Sequence, residues 1–253
     1  MNKTNLVKFF DKEAVTYNSQ VLNGTLGSRW FAEQENAIVE AVIKTAKFEK
    51  ALDIGVGNGR FTEIIADKTQ QITAIDLSEQ MISTAKHHLS QKANEKTTFI
   101  KGNFEEIDLQ NELKIFDLII SFRVFKYFDD IEKSIVKVSR LLKKGGVCII
   151  QYPNLKSYQG LLVSIKSIVA ISDKNKQYLQ SLNLVTLEQI KRCYLENNLE
   201  IVEIHHNMVI PYFIVSRIKN RFFLGWVVKI DNILKKIWLK KTARDFTIVG
   251  RKI

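Results

Sequence analysis

The sequence predicts an α/β fold: a doubly wound, mostly parallel sheet with helices on both faces and an N-terminal helical cap. Three observations predict it. From residue 48 onward, short apolar runs alternate with segments of helical period, the pattern of βαβ units. A glycine loop, Asp53-Ile54-Gly55-Val56-Gly57-Asn58-Gly59, ends the first run. An acidic residue, Asp76, ends the second. Right-handed crossovers then set helices on both faces, and ligands bind beyond the carboxyl ends of the strands.

The elements follow in order. Phe9 to Ala46 reads as helical, broken at Asn23-Gly24 and Gly27. Ala51 to Ile54 is a strand, Phe61 to Asp67 a helix, and Gln71 to Ile75 a second strand. Ser78 caps the next helix, whose apolar face carries Met81, Ile82, Ala85 and Leu89. Thr98 to Ile100 and Phe116 to Ser121 are strands, and Ile131 to Leu142 is a helix. Lys143-Lys144-Gly145-Gly146 ends that helix, and Val147 to Gln151 is the fifth strand. Beyond it, Gln159 to Lys176 and Thr186 to Asn197 read as helices, Leu199 to His205 and Phe246 to Val249 as strands. The organisation expected is a cap over residues 1–47 and a main domain over 48–253, with 156–185 and 208–244 as helical insertions on the substrate side.

At 253 residues the chain suits one large α/β domain with a modest cap. Two cysteines, Cys148 and Cys193, give no disulfide framework and no metal spacing, so a reducing cytoplasm is expected and no metal. Met1 to Phe10 lacks the apolar core of a signal peptide, and no run of 18 apolar residues suggests a spanning helix. The net charge of +11 is uneven: residues 1–155 hold 21 basic and 20 acidic residues, a balance of +1, and residues 156–253 hold 17 and 7, a balance of +10. Such asymmetry marks an anionic partner or serves solubility.

The glycines let the backbone turn sharply and let a ligand approach the main chain. Their G-x-G-x-G spacing puts Arg60 where a dinucleotide fingerprint needs its third glycine, which disfavours a nicotinamide enzyme. Asp53 also suits a ligand with ammonium and sulfonium charges better than a pyrophosphate. Asp76 can accept hydrogen bonds from a ribose diol.

Together with Lys101-Gly102-Asn103-Phe104, Phe116 to Ser121 with the loop Phe122 to Phe125, and Leu141 to Gly146, this stretch resembles the class I S-adenosylmethionine (SAM)-dependent methyltransferases. The resemblance covers roughly residues 48–152 plus a C-terminal strand ending in Val249-Gly250-Arg251-Lys252. It implies a seven-stranded sheet with an antiparallel last strand, SAM as cofactor, and direct methyl transfer to a small-molecule acceptor. It also implies a cofactor site made of Asp53, Gly55, Gly57, Asn58, Gly59, Asp76, Leu77, Met81, Asn103, Phe104, Ser121 and Phe122. Asn103 stands where the family usually has an Asp facing the adenine amino group. Phe10 to Ala14 and Tyr17 resemble the cap segment of small-molecule members, with Tyr17 and Arg29 as candidates for covering the amino-acid end of SAM.

No general base announces itself; Arg123, Tyr127 and His206 are the candidates for a catalytic role. The N/D-P-P-Y/F signature of nucleic-acid amino-methyltransferases is missing, since Ser121-Phe122-Arg123-Val124 stands there. The alternatives are an RNA methyltransferase using the basic C-terminal region, and a non-catalytic SAM-binding scaffold. Met208 to Arg244 holds nine basic residues and one acid, Asp231, with Trp226, Val227, Ile230, Ile233, Leu234, Ile237 and Trp238 at helical spacing. That helix either packs its apolar face on the domain or meets an anionic membrane surface, which would make the protein peripheral to the membrane and its acceptor amphiphilic or lipid-linked.

Overall fold

The computed structural model describes residues 3–21, 24–109, 115–165 and 182–253. Helices α1 (Lys3–Val21) and α2 (Leu26–Ile43) precede β1 (Phe48–Ile54), α3 (Arg60–Ala66), β2 (Thr69–Asp76), α4 (Glu79–His88), α5 (Gln91–Lys96), β3 (Thr97–Lys101) and β4 (Phe116–Ser121). A 3-10 turn (Phe125–Tyr127), α6 (Ile131–Leu141), β5 (Leu142–Pro153), α7 (Tyr158–Ile165), α8 (Leu187–Glu196) and β6 (Leu199–His206) follow. The chain closes through α9 (Tyr212–Val215), α10 (Arg221–Lys236), a second 3-10 turn (Trp238–Thr242) and β7 (Asp245–Lys252).

The seven strands lie in the order β3-β2-β1-β4-β5-β7-β6. β1 to β5 pair in parallel, and β7 runs antiparallel between β5 and β6. The expected sheet, with its antiparallel last strand, is therefore the observed one. The order reverses at β1, from which β2 and β3 extend one way and β4 and β5 the other, and that leaves a crevice at the carboxyl ends.

Strand alternation supplies two apolar faces. Leu52, Ile54, Ile119, Cys148 and Ile150 pack with Ile135 and Val138 of α6 and Ile190 and Tyr194 of α8. Ala51, Leu118, Ile120 and Ile149 pack with Val39 and Ile43 of α2 and Phe61 and Ile65 of α3. Each aliphatic side chain fully withdrawn from water contributes about 1.5–3 kcal/mol. Helix starts are set by side-chain caps: Ser78 accepts from the Met81 amide, Asp130 from that of Lys133, and Thr186 and Gln189 form a capping box.

Three local features depart from expectation, and one helix is described only in part. Gly27 does not break a helix; it lies in the first turn of α2, where a Cβ would stand 1.8 Å from the Val215 carbonyl oxygen. Lys143 to Gly146 is not a turn between helix and strand but a bulge inside β5, since Phe116 pairs with Leu142 and Leu118 with Val147. The short α5, capped by Ser90, was not expected. Of the helix expected over 159–176, residues 158–165 are helical, and the rest lies outside the described residues.

Candidate functional site at the carboxyl edge of the sheet

The chain leaves β1 through a loop whose three glycines all take left-handed backbone angles: φ is 79° at Gly55, 54° at Gly57 and 82° at Gly59. Side chains disfavour that region. At Gly55 a Cβ would also meet the Val124 side chain at 2.1 Å. The loop is pinned to β2, where the Gly55 and Val56 amides donate to the Ile75 carbonyl at 2.7 and 3.0 Å.

Asp76 stands beside this loop at the end of β2. Its Oδ2 accepts from the Gly57 amide and its Oδ1 from the Ser78 amide, each at 2.9 Å. Burial raises its pKa above the ordinary value, although both amides oppose the shift. Asp53, one residue before the end of β1, turns the other way. It is buried against α3, accepts from the Thr62 hydroxyl at 2.6 Å, and has its pKa pushed up to about 7 by burial, with the negative Asp76 adding to the effect.

A cleft of about 760 Å³, part of it open to solvent, lies over these strand ends. Gly55, Gly57, Asp76, Leu77, Met81, Asn103, Phe104 and Phe122 from the expected cofactor set line it, as do Arg123 and Tyr127. Leu6 and Phe10 of α1 reach it as well; the Phe10 ring meets Tyr127 edge-on at 5.3 Å. Asp11 of α1 accepts a 2.5 Å hydrogen bond from Ser78, so the cap residue of α4 also tethers the first helix over the cleft. Phe122 is stacked on Phe61 at 4.1 Å. The Asn103 amide donates to Glu106 at 2.8 Å, and its oxygen accepts from the Glu105 amide at 3.1 Å.

Other expected residues lie elsewhere. Asn58, Gly59 and Ser121 support the loop rather than line the cleft: the Asn58 oxygen accepts from the Arg60 amide, Gly59 caps α3, and Ser121 donates to the Ile54 carbonyl. Arg29 is exposed on α2. The side chain of Tyr17 lies outside the described residues. His206 ends β6, three strands from β4 in the sheet, or about 14 Å at the usual strand spacing. Burial lowers its pKa, helped by Lys240 and Lys191.

Sequence reasoning missed the hub that holds the far wall. Glu35 of α2 is fully buried and accepts from Arg60 at 2.7 Å, from Arg123 at 3.0 and 2.8 Å, and from Gln151 at 2.9 Å. Burial alone would raise its pKa, but Arg123 and Arg60 outweigh burial and bring it to about 2. Arg123, at φ 64°, thus joins the cap to the loop after β4. The available signal was an acid four residues from both Phe31 and Val39 on one helix, that is, a charge on the apolar stripe.

Residues 46–206 match a family described as methyltransferase domain. The chain is 27% identical over 212 residues to a malonyl-[acyl-carrier protein] O-methyltransferase of Bacillus cytotoxicus, covering 78% of this chain and 71% of the relative. It is 30% identical over 142 residues to a ubiquinone biosynthesis O-methyltransferase of Pelagibacter ubique, covering 54% and 58%. Across such relatives the chain spans 50% to 74% of their length. The fold is similar to that of a Haemonchus contortus phosphoethanolamine N-methyltransferase solved with phosphomonomethylethanolamine and S-adenosylhomocysteine. The TM-score is 0.63 at 19% identity, covering 96% of this chain and 58% of that one.

Proposed function

The chain belongs to the methyltransferase-domain family of SAM-dependent enzymes, and on that premise we propose that it methylates a small molecule with an apolar body. The observation that carries this reading is Asp76, held beside Gly57 in a cleft whose other walls are largely apolar. The residues suit SAM. In this reading Asp76 takes the ribose hydroxyls, Gly55 and Gly57 admit the amino-acid end, and Leu77, Met81 and Phe104 enclose the adenine. Asn103 faces the adenine amino group through an oxygen that keeps a second lone pair. Asp53, Asn58, Gly59 and Ser121 shape the loop. When bound, SAM supplies a methyl group already activated on a sulfonium.

The chain's own part is alignment and exclusion of water. Leu6 and Phe10 roof the cleft, and Phe122, Val124 and Phe128 form an apolar wall beside it. Among the described residues that line it, the ionisable side chains are Asp76, Glu105, Arg123 and Tyr127. Arg123 is committed to Glu35 and His206 is remote, so an acceptor that arrives already deprotonated, such as a carboxylate, needs no base, and for a phenol Glu105 and Tyr127 are the remaining ionisable groups in the cleft besides Asp76. The malonyl carrier-protein relative supports an acyl acceptor, and the ubiquinone relative a hydrophobic phenol. The buried free thiols of Cys148 and Cys193 support a reducing cytoplasmic setting.

Labelled SAM incubated with carboxylated acyl thioesters, phenolic quinone precursors and RNA tests the reading. Label in the first two pools and none in RNA is the expected result. Label only in RNA, or SAM binding with no turnover on any pool, would replace it.

A further inference from the structure

Helix α10 carries a second apolar face that the domain does not cover. Its inner side buries only Val227 and Asp231. Asp231 accepts from the Val209 and Ile210 amides at 2.8 and 3.0 Å and pairs with Lys235 at 2.8 Å. Lys235 in turn reaches Gln34 of α2 at 2.7 Å. The helix is therefore fixed to the body by that side. On the other side Phe222, Trp226, Ile230 and Ile233 recur at four- and three-residue spacing, and Ile237 extends the row. One face of α10 holds the first four, and Ile237 follows at its C-cap. They are 77%, 55%, 46%, 61% and 43% exposed, and Trp238 of the following turn is 72% exposed. Scattered exposed apolar residues need no explanation, but a continuous stripe with two tryptophans does.

The stripe is flanked by one sign of charge. Lys229, Lys236, Lys240 and Lys241 are exposed beside it. The one acid between residues 208 and 244, Asp231, is buried and paired. The layer sits at the cleft end of the sheet: α10 rests on the segment that leaves β6, and Phe31 of α2 lies between Tyr212 at 5.5 Å and the Arg123 guanidinium at 5.0 Å.

We propose that this face docks on an anionic lipid surface. The aromatic and isoleucine stripe enters the acyl boundary, and the lysines sit at the headgroup phosphates. Interfacial amphipathic helices have this combination of apolar stripe and lysine flank. Nucleic acid is a poorer fit, because Ile230, Ile233 and Ile237 offer no stacking face for a base. No helix among the described residues is long and apolar enough to cross a membrane, so the contact is peripheral. The docking gives the apolar acceptor proposed above a source close to the cleft, and it rests on that reading for its purpose.

Vesicle binding tests it without any methyl-transfer step. The full chain is co-sedimented with vesicles of phosphatidylcholine alone and of phosphatidylcholine with 30% phosphatidylglycerol, at low and high salt. Preference for the anionic vesicles, weakened by salt, is expected, with a blue shift of tryptophan fluorescence. Lys229→Gln and Lys236→Gln should each weaken low-salt binding about fivefold, the equivalent of about 1 kcal/mol per lysine. Trp226→Ser with Ile233→Ser should abolish binding while SAM affinity and thermal midpoint stay unchanged. Equal binding to both vesicle types, binding to neither, or a stable dimer or an acidic carrier-protein complex that loses its contact in the Trp226→Ser, Ile233→Ser variant would overturn the proposal. Failure of methyl transfer with vesicle binding intact would count against the acceptor reading alone.

Discussion

Asp76 uses both carboxylate oxygens on backbone amides, so the same side chain shapes the glycine loop and faces the cleft. Removing it takes away the anchor of Gly57 and, in the proposed reading, charge-assisted hydrogen bonds to a bound ribose. Asp76→Ala should cost about 2–4 kcal/mol of SAM binding, a loss of thirtyfold or more by calorimetry; unchanged affinity would remove the assignment. Asp76→Asn, which keeps an acceptor oxygen, should lose less. Gly57 lies at φ 54° on the cleft wall, a backbone region costly for a β-branched residue. Gly57→Val should abolish SAM binding yet leave far-UV circular dichroism close to that of the unaltered protein; normal binding would mean that the loop does not approach the ligand. Both residues were legible because a strand-to-helix turn declares itself in adjacent letters. Glu35 was not. Its partners Arg123 and Gln151 stand 88 and 116 positions away, and nothing in a local window pairs them. Arg123 was read as a catalytic candidate for the same reason: its position after β4 is visible in the chain, its commitment to Glu35 is not.

Among the described residues of helix α1, Leu6 and Phe10 line the cleft and Asp11 accepts from Ser78. Ser78 also accepts from the Met81 amide at the start of α4, so one hydroxyl serves two helices. Ser78→Ala should cost about 1 kcal/mol of stability for the lost cap and, in addition, speed hydrogen exchange in α1. If exchange changes only in α4, the tether to Asp11 is not what holds the cap down. The strands and most helices were legible from periodicity, since period 2 and period 3.6 sort residues onto faces without knowledge of the partner. Periodicity does not say what a face meets. In α10 the row through Val227 and Asp231 and the row through Phe222 and Trp226 are both helical stripes, and only the packed structure separates the covered one from the exposed one. The bulge in β5 was hidden for a related reason: Lys143 to Gly146 has the composition of a helix stop, and pairing of Leu142 with Phe116 overrides it.

At the scale of the whole molecule, buried carboxylates divide into two kinds with opposite pH dependence. Glu35 is held at about 2 by Arg123 and Arg60 against the opposing effect of burial. Its contribution to stability is present above the ordinary glutamate value of 4.5 and is lost as pH falls from there toward 2. Asp53 is the reverse case. Burial lifts it to about 7 from 3.8, so between those values the folded protein holds a proton that the unfolded chain has released. Its contribution is complete below 3.8 and declines as pH rises to about 7. Asp76 and Asp245 are raised by burial and act in the same direction. His206, lowered chiefly by burial, opposes them as pH passes its ordinary value of 6.5. Asp53→Asn isolates this group, because the amide oxygen still accepts from Thr62 and cannot ionise. Urea unfolding at a series of pH values should therefore show the variant gaining on the unaltered protein from pH 4 upward and levelling above 7, by at most about 4 kcal/mol. A difference independent of pH would mean that Asp53 is already ionised in the fold. The same charges bear on the cofactor. If SAM binds as proposed, its positive charge at Gly55 and Gly57 acts through the loop on Asp76 and on the buried Asp53 behind it and favours their ionised forms, so binding near pH 6 should release protons. Calorimetry in buffers of different ionisation enthalpy reads that release directly, and Asp53→Asn should reduce it. Proton uptake on binding would reverse the sign and show that the cationic end of SAM does not lie at these carboxylates.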